Sequence, residues 1–189
     1  ITYRDARYFD CVCKRALQIP LKNLYNHEPI YGNTAHVKYT DDEFEKYIYW
    51  CTVRGQALNE LHLSVNMMNE RKWSDLSAAM NWQRDNFDIL KNAHFIGGNP
   101  EENNVYGYIS WSESGEGVIA LRNPTDEATD LTLTLNKLMC APESLEGAKR
   151  FNVYCKSIAE TDETFDYNSK MDLTLNPYEI MIFKIGKER

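Results

Sequence analysis

Around Phe95-Ile96-Gly97-Gly98-Asn99-Pro100 the hydrophobic period of the chain changes, so a fold with a single kind of secondary structure cannot carry both halves. Before this point apolar residues recur at helical spacing. Phe44, Tyr47, Ile48 and Cys51 fall at i, i+3, i+4 and i+7 and mark the buried face of one helix. That helix opens at Thr40-Asp41-Asp42-Glu43, a capping box in which the Thr40 hydroxyl and the Glu43 carboxylate satisfy free N–H groups of the first turn, and it should run to about Gly55. Ala6 to Leu17 and Glu70 to Ala93 share the period, the latter with Trp73, Leu76, Met80, Phe87 and Leu90 on one face. Between the helices, Ile19 to Tyr25 (IPLKNLY) reads as a short strand opening into a polar loop. Leu58 to Val65 (LNELHLSV) reads as a second strand, with Leu61, Leu63 and Val65 at period two. Helix, strand, helix, strand, helix over residues 1–93 is the order that two consecutive units of a parallel α/β architecture give.

After Pro100 the segments are short and separated by Gly, Pro, Asn, Asp and Ser. Strands are predicted at Val105–Trp111, Gly117–Asn123, Asp130–Leu135, Phe151–Lys156, Met171–Leu175 and Tyr178–Ile185. In the run LTLTL, Leu131, Leu133 and Leu135 should face inward and Thr132 and Thr134 outward. Asn176-Pro177 predicts a tight turn, hence a hairpin of the last two strands. Strands at this spacing suggest an antiparallel sandwich, and the whole chain reads as α+β.

Composition excludes several functions. A net charge of -7 and scattered Lys and Arg argue against a nucleic-acid partner, since phosphate recognition needs clustered cations. No apolar run approaches the roughly 20 residues that a membrane-spanning helix needs. Arg4, Asp5 and Arg7 stand where a signal sequence would place an apolar core, so the chain shows no address of its own, and its start without Met suggests upstream sequence. The five cysteines, Cys11, Cys13, Cys51, Cys140 and Cys155, have no metal-ligand spacing and read as small hydrophobes. A Cys140–Cys155 disulfide would suit a secreted or periplasmic parent and would leave unpaired thiols. The acidic run Glu160 to Asp166 lacks the glycine and ligand spacing of a calcium loop and reads as a solvated loop. Neither a metal nor a cofactor is expected.

The runs YNHEPIYG, RGQALNELHLS, KWSDLSAAMNWQRDNFDILKNAHFIGG, VYGYISW and GVIALRNP together resemble the C-terminal part of bacterial α-galactosidase-like glycoside hydrolases, including Bacteroides-type proteins labelled as enterotoxins. The resemblance covers nearly the whole chain. It implies a (β/α)8 barrel followed by a β-sandwich, of which this chain holds the end. On that reading residues 1–95 are a partial βα-barrel segment, helices with two short parallel strands that are the seventh and eighth of the barrel, and residues 96–189 are the antiparallel β-sandwich.

Retaining glycosidases need two carboxyl groups about 5 Å apart, one as nucleophile and one as acid/base. The resemblance implies that these follow strands four and six; strand four is absent, and Ile1 to Arg4 is at best the end of strand six. Asp5 is then the one position matching the acid/base, and it could equally be a plain helix N-cap. Residues after a barrel strand line the active-site face, which gives Asn26, His27 and Glu28 a claim to sugar hydroxyls and Tyr25 and Tyr31 a claim to the C–H side of the ring. Glu60 and His62, on the eighth strand, could join them. His36 and His94 are isolated. Trp50 and Trp73 fall at helical packing positions, whereas Trp111, near a strand end, is the candidate for sugar stacking.

The expected function is therefore a fragment of a carbohydrate enzyme, inactive alone, that supplies part of the sugar-pocket rim and a bracing β domain. Its partners would be an oligosaccharide or glycoside and the N-terminal barrel portion of the parent. A truncated barrel exposes an unpaired edge, through which the fragment should self-associate. The alternatives are a carbohydrate-binding module, with Trp111, Tyr106 and Tyr108 as an exposed aromatic face, and a non-catalytic interaction domain.

Overall fold

Thr40 starts a helix as its capping box predicts. In the computed structural model, which describes residues 1–15, 19–32, 38–155, 158–159 and 161–187, the Glu43 N–H donates to Thr40 Oγ1 at 3.3 Å and the Thr40 N–H to Glu43 Oε2 at 2.8 Å. Leu17, His36, Lys156 and Glu160, named in the expectations above, lie outside the described residues. The helix, α2 (Asp41–Thr52), buries Phe44, Tyr47, Ile48 and Cys51, which pack with Leu76 and Ala79 of α3 (Glu70–Asp85). It ends before Gly55, whose φ of +75° suits glycine and whose Cβ, if present, would lie 2.4 Å from the Leu90 carbonyl oxygen.

The other helices depart from expectation. α1 (Thr2–Tyr8) begins upstream of Ala6 and continues as a π-helical turn over Phe9–Cys13, so Ile1 to Arg4 is not a strand. The long helix expected over Glu70 to Ala93 is broken at Asn86, whose side chain donates to the Trp82 carbonyl at 2.8 Å; α4 (Phe87–Leu90) follows. Trp50 is fully buried as expected, but Trp73 is 43% exposed because Lys72, Leu76, Ala79 and Gln83 take the buried face of α3.

The strand expected over Ile19 to Tyr25 lies further along. Pro20 has no N–H to donate to a ladder, and Leu21–Asn23 form a 3-10 turn instead. Extended structure comes in two pieces, β1 (Tyr25–Asn26) and β2 (Ile30–Tyr31). The second expected strand is likewise divided into β3 (Leu58–Asn59) and β4 (His62–Leu63). β1 pairs in parallel with β3, and β2 with β4, so each pair joins elements on either side of α2. Leu58, Leu61 and Val65 are exposed there.

The later part holds all six expected strands: β6 (Tyr106–Trp111), β7 (Gly117–Arg122), β8 (Thr129–Thr134), β9 (Ala148–Tyr154), β11 (Lys170–Leu175) and β12 (Ile180–Gly186). Two more were not anticipated. β5 (His94–Gly97) pairs with β6, and β10 (Thr164–Phe165) pairs with β9, drawing part of the acidic run into the sheet with Phe165 buried. The large sheet is antiparallel in the order β10-β9-β12-β7-β6-β5, and β8 and β11 form a separate two-stranded ribbon.

The last two strands are therefore not a hairpin. The turn at Asn176-Pro177 carries the chain from the ribbon to the sheet, and side chains hold the crossing. Asn123 Nδ2 donates to the carbonyls of Leu175 at 3.3 Å and Asn176 at 3.1 Å, and the Asn176 N–H donates to Glu179 Oε2 at 2.7 Å. Leu131, Leu133 and Leu135 face the core as predicted, while Thr132 bonds to Asp172 on the outer side.

Both faces of the large sheet are covered. On one, Ile109, Ile119, Leu121, Met181 and Phe183 pack with Leu135, Met171, Leu173 and Leu175 of the ribbon side. On the other, Tyr106, Tyr108, Val118, Ala120, Ile180 and Ile182 pack with Trp50, Val53, Ile89 and Leu90. All five cysteines are free, so Cys140 and Cys155 do not pair. Among the described residues no helix is long and apolar enough to cross a membrane.

Candidate functional site

Pairing register creates the most unusual feature of the chain. Tyr25 faces Leu58 and Asn26 faces Asn59, yet Ile30 faces His62 and Tyr31 faces Leu63, so residues 27–29 stand opposite only residues 60–61. This is a bulge: one strand carries an extra residue, and the ladder opens around it. The Glu60 N–H donates to the Asn26 carbonyl at 2.8 Å and the His62 N–H to the Pro29 carbonyl at 3.0 Å, closing the ladder on either side. Pro29 itself has no N–H to leave unpaired there.

Within the segment, successive side chains alternate sides. Tyr25 and His27 are exposed, whereas Asn26 and Glu28 are buried. The exposed pair meets the exposed residues of the facing strand. His27 Nδ1 lies 2.5 Å from Glu60 Oε2, His62 Nε2 lies 3.4 Å from the same oxygen, and the two imidazole rings are 4.4 Å apart at their centroids. Tyr25 sits edge-on to His27 at 6.0 Å. Desolvation raises the pKa of Glu60, but the hydrogen bonds and charges of His27 and His62 together outweigh it and hold the carboxyl below its ordinary value. Beside this group a cleft of about 260 Å³ runs toward α1, lined by Arg4, Arg7, Tyr25, His27, Glu28 and Arg54.

The buried side is a closed ionic network. Arg54, 2% exposed, uses Nη2 to bind Asp5 Oδ1 and Nη1 to bind Glu28 Oε2, with a further bond to Asn26 Oδ1 at 3.1 Å. Asp5 Oδ2 accepts from Trp50 Nε1 at 2.9 Å and from the Tyr106 hydroxyl, which in turn accepts from Arg122 at 2.6 Å. Glu28 Oε1 accepts from the Tyr47 hydroxyl at 3.0 Å, and that hydroxyl accepts from the Ile30 N–H at 2.8 Å. Burial pushes the Glu28 carboxyl up, but Arg54 and the Tyr47 hydroxyl overcome it and hold the pKa below the ordinary value. Glu28 is therefore an anion at neutral pH. Burial likewise raises the phenols of Tyr47 and Tyr106, which stay protonated and donate.

The structure thus splits the anticipated residues into two sets. Tyr25, His27, Glu60 and His62 come together at the surface; Asn26 and Glu28 turn inward to Arg54. Tyr31 joins neither, since it is buried against Phe44 and stacked on Tyr39 at 5.5 Å. Asp5 is not the N-cap of α1, a position held by Ile1, but an interior residue of that helix with a buried carboxylate. Trp111 is 7% exposed, with its Nε1 donating to the Met139 carbonyl at 2.9 Å, and Tyr106 and Tyr108 are buried. The exposed aromatic face required of a carbohydrate-binding module on these residues does not exist.

Arg54 and Asn59 were not singled out by sequence, and Tyr47 was expected only as a packing residue of its helix. Asn59 donates to Gln83 Oε1 at 2.5 Å and accepts from Asn26 at 3.2 Å, tying the strand segment to α3. One signal was available: an arginine directly after the apolar end of a helix, in WCTVRG, implies buried counter-charges.

No family model and no curated sequence matches the chain. Solved structures do. A β-L-arabinopyranosidase of glycoside hydrolase family 27 from Geobacillus stearothermophilus, in complex with arabinose, matches all of this chain with 42% of its own, at a TM-score of 0.55 and 14% identity. An α-galactosidase of Saccharomyces cerevisiae with raffinose matches 79% of this chain with 44% of its own, at a TM-score of 0.55 and 9% identity. A Bacillus halodurans protein proposed to be an α-N-acetylgalactosaminidase matches 80% of this chain with 32% of its own, at a TM-score of 0.53 and 18% identity. The likeness is one of fold. The chain spans less than half the length of each of these structures.

Proposed function

We propose that this chain is the C-terminal portion of a glycoside hydrolase, in which the surface cluster after β1 and β3 forms part of the rim of a sugar pocket. One observation carries the reading: Tyr25, His27, Glu60 and His62 gather on the open side of paired parallel strands, beside a cleft, in a fold shared with glycosidases. Strand ends of parallel α/β units are where such enzymes place their sites. The strand–helix–strand units would be the seventh and eighth of a barrel, and residues 1–95 and 96–189 the barrel segment and the bracing β domain. The rest of the barrel would then cover the exposed Leu58, Leu61 and Val65.

Asp5 in this reading is a positioning residue that holds Arg54, not an acid/base. The chain then has no complete carboxyl pair and no hydrolytic activity of its own. The fold neighbours support a substrate class for this reading. Galactose, N-acetylgalactosamine and L-arabinopyranose all carry an axial hydroxyl at carbon 4, and galactose-configured glycosides are the class that an imidazole, a carboxylate and a tyrosine ring at the rim would contact.

Saturation-transfer NMR with galactose and glucose on the purified chain tests this. Transfer to galactose, absent for glucose and lost in Tyr25→Ala, is the expected result, with no release of nitrophenol from a nitrophenyl α-galactoside. Equal transfer to both sugars, or none to either, would leave a non-catalytic interaction domain as the better reading.

A further inference from the structure

We propose that His27, Glu60 and His62 form a binding site for a divalent transition metal of the zinc class. The residue types are those of open zinc sites, two imidazoles and one carboxylate, which leave further coordination positions to water or a ligand oxygen. The ligand atoms all lie within 4.8 Å of one another. In a tetrahedral site with metal–ligand bonds of about 2.0–2.1 Å, neighbouring ligand atoms stand roughly 3.3 Å apart. The His62 Nε2 to Glu60 Oε2 separation of 3.4 Å already fits. The His27 Nδ1 to Glu60 Oε2 separation of 2.5 Å is a hydrogen bond and must open by less than an ångström, and any proton on Nδ1 must pass to Nε2 of the same ring or to solvent before that nitrogen can ligate the ion.

The backbone explains why the three converge. The extra residue at 27–29 opens the ladder beside Glu60 and His62, and closed hydrogen bonds on both sides fix its position. Bulges recur next to functional sites because they re-aim a side chain, here His27. All three side chains are 40–51% exposed, so an ion can reach them and they can adjust. This inference stands on the bulge geometry and does not depend on the sugar reading.

Isothermal titration of the purified chain with zinc chloride, without any sugar, tests it. The expected result is uptake of one zinc ion per chain, weakened on the order of tenfold or more in each of His27→Ala, Glu60→Gln and His62→Ala. Cobalt titration should give a visible spectrum of nitrogen and oxygen ligation without a thiolate charge-transfer band. Unchanged affinity in a His27→Ala/His62→Ala double variant whose thermal melt matches the parent would overturn the site, as would no uptake by the parent. A failure here would leave the galactose experiment unaffected, since that measurement contains no metal.

Discussion

Arg54 neutralises two buried carboxylates at once; Asp5 has a second cation, Arg122, at 3.7 Å, and Glu28 depends on Arg54. Removing one partner of such a group costs about 3–5 kcal/mol, because the remaining charge is left buried and alone. Arg54→Met should therefore destabilise the chain by about that much, measured by denaturant unfolding. Glu28 adds a pH dependence. Its folded pKa lies below the ordinary 4.5, so its contribution to stability is full above that value and disappears as pH falls through the folded pKa. Denaturation midpoints should decline as pH falls below about 4.5, and Glu28→Gln, which keeps an oxygen for the Tyr47 hydroxyl, should flatten that decline; an unaltered slope would show that other carboxylates govern it. Sequence disclosed the alternation in Tyr25-Asn26-His27-Glu28 only as a set of polar candidates. Which of them face out was settled by pairing with a strand 33 residues away, and that register is not written locally.

At the scale of elements, the clearest local signals were the most accurate. The Thr40–Glu43 box depends on residues three apart, and the helix starts where they say. Thr40→Ala should lower stability by about 1 kcal/mol, with the loss reported by thermal unfolding, and Thr40→Ser should restore most of it. In two places where sequence misjudged an element, a single residue that competes with the regular backbone was responsible. Asn86 bonds back to Trp82 and divides α3 from α4, and Pro20 prevents a strand before Tyr25. The expected final hairpin failed for a longer-range reason. Asn123 fastens Leu175 and Asn176 from the end of β7, where the chain passes from the ribbon to the sheet, and no feature of Asn176-Pro177 announces it.

For the whole molecule, the change of period at Gly97-Gly98 correctly separated helical from strand-rich sequence, and six strands were legible. Their partners were not, since sheet order depends on contacts distant along the chain. The exposed Leu58, Leu61 and Val65, 62%, 47% and 71% accessible, lie in and beside short parallel strands whose outer sides lack pairing partners among the described residues. The isolated chain should self-associate there. Light scattering should show mass rising with concentration, and Leu58→Lys combined with Val65→Lys should suppress the rise; a constant monomer mass would count against it. Trp50 and Leu90 from the helices and Tyr106 and Tyr108 from the sheet share one core, so the two stretches of sequence pack against each other across the change of character. A gene exchange that broke at Gly97-Gly98 would leave each descendant with apolar side chains that the other had covered.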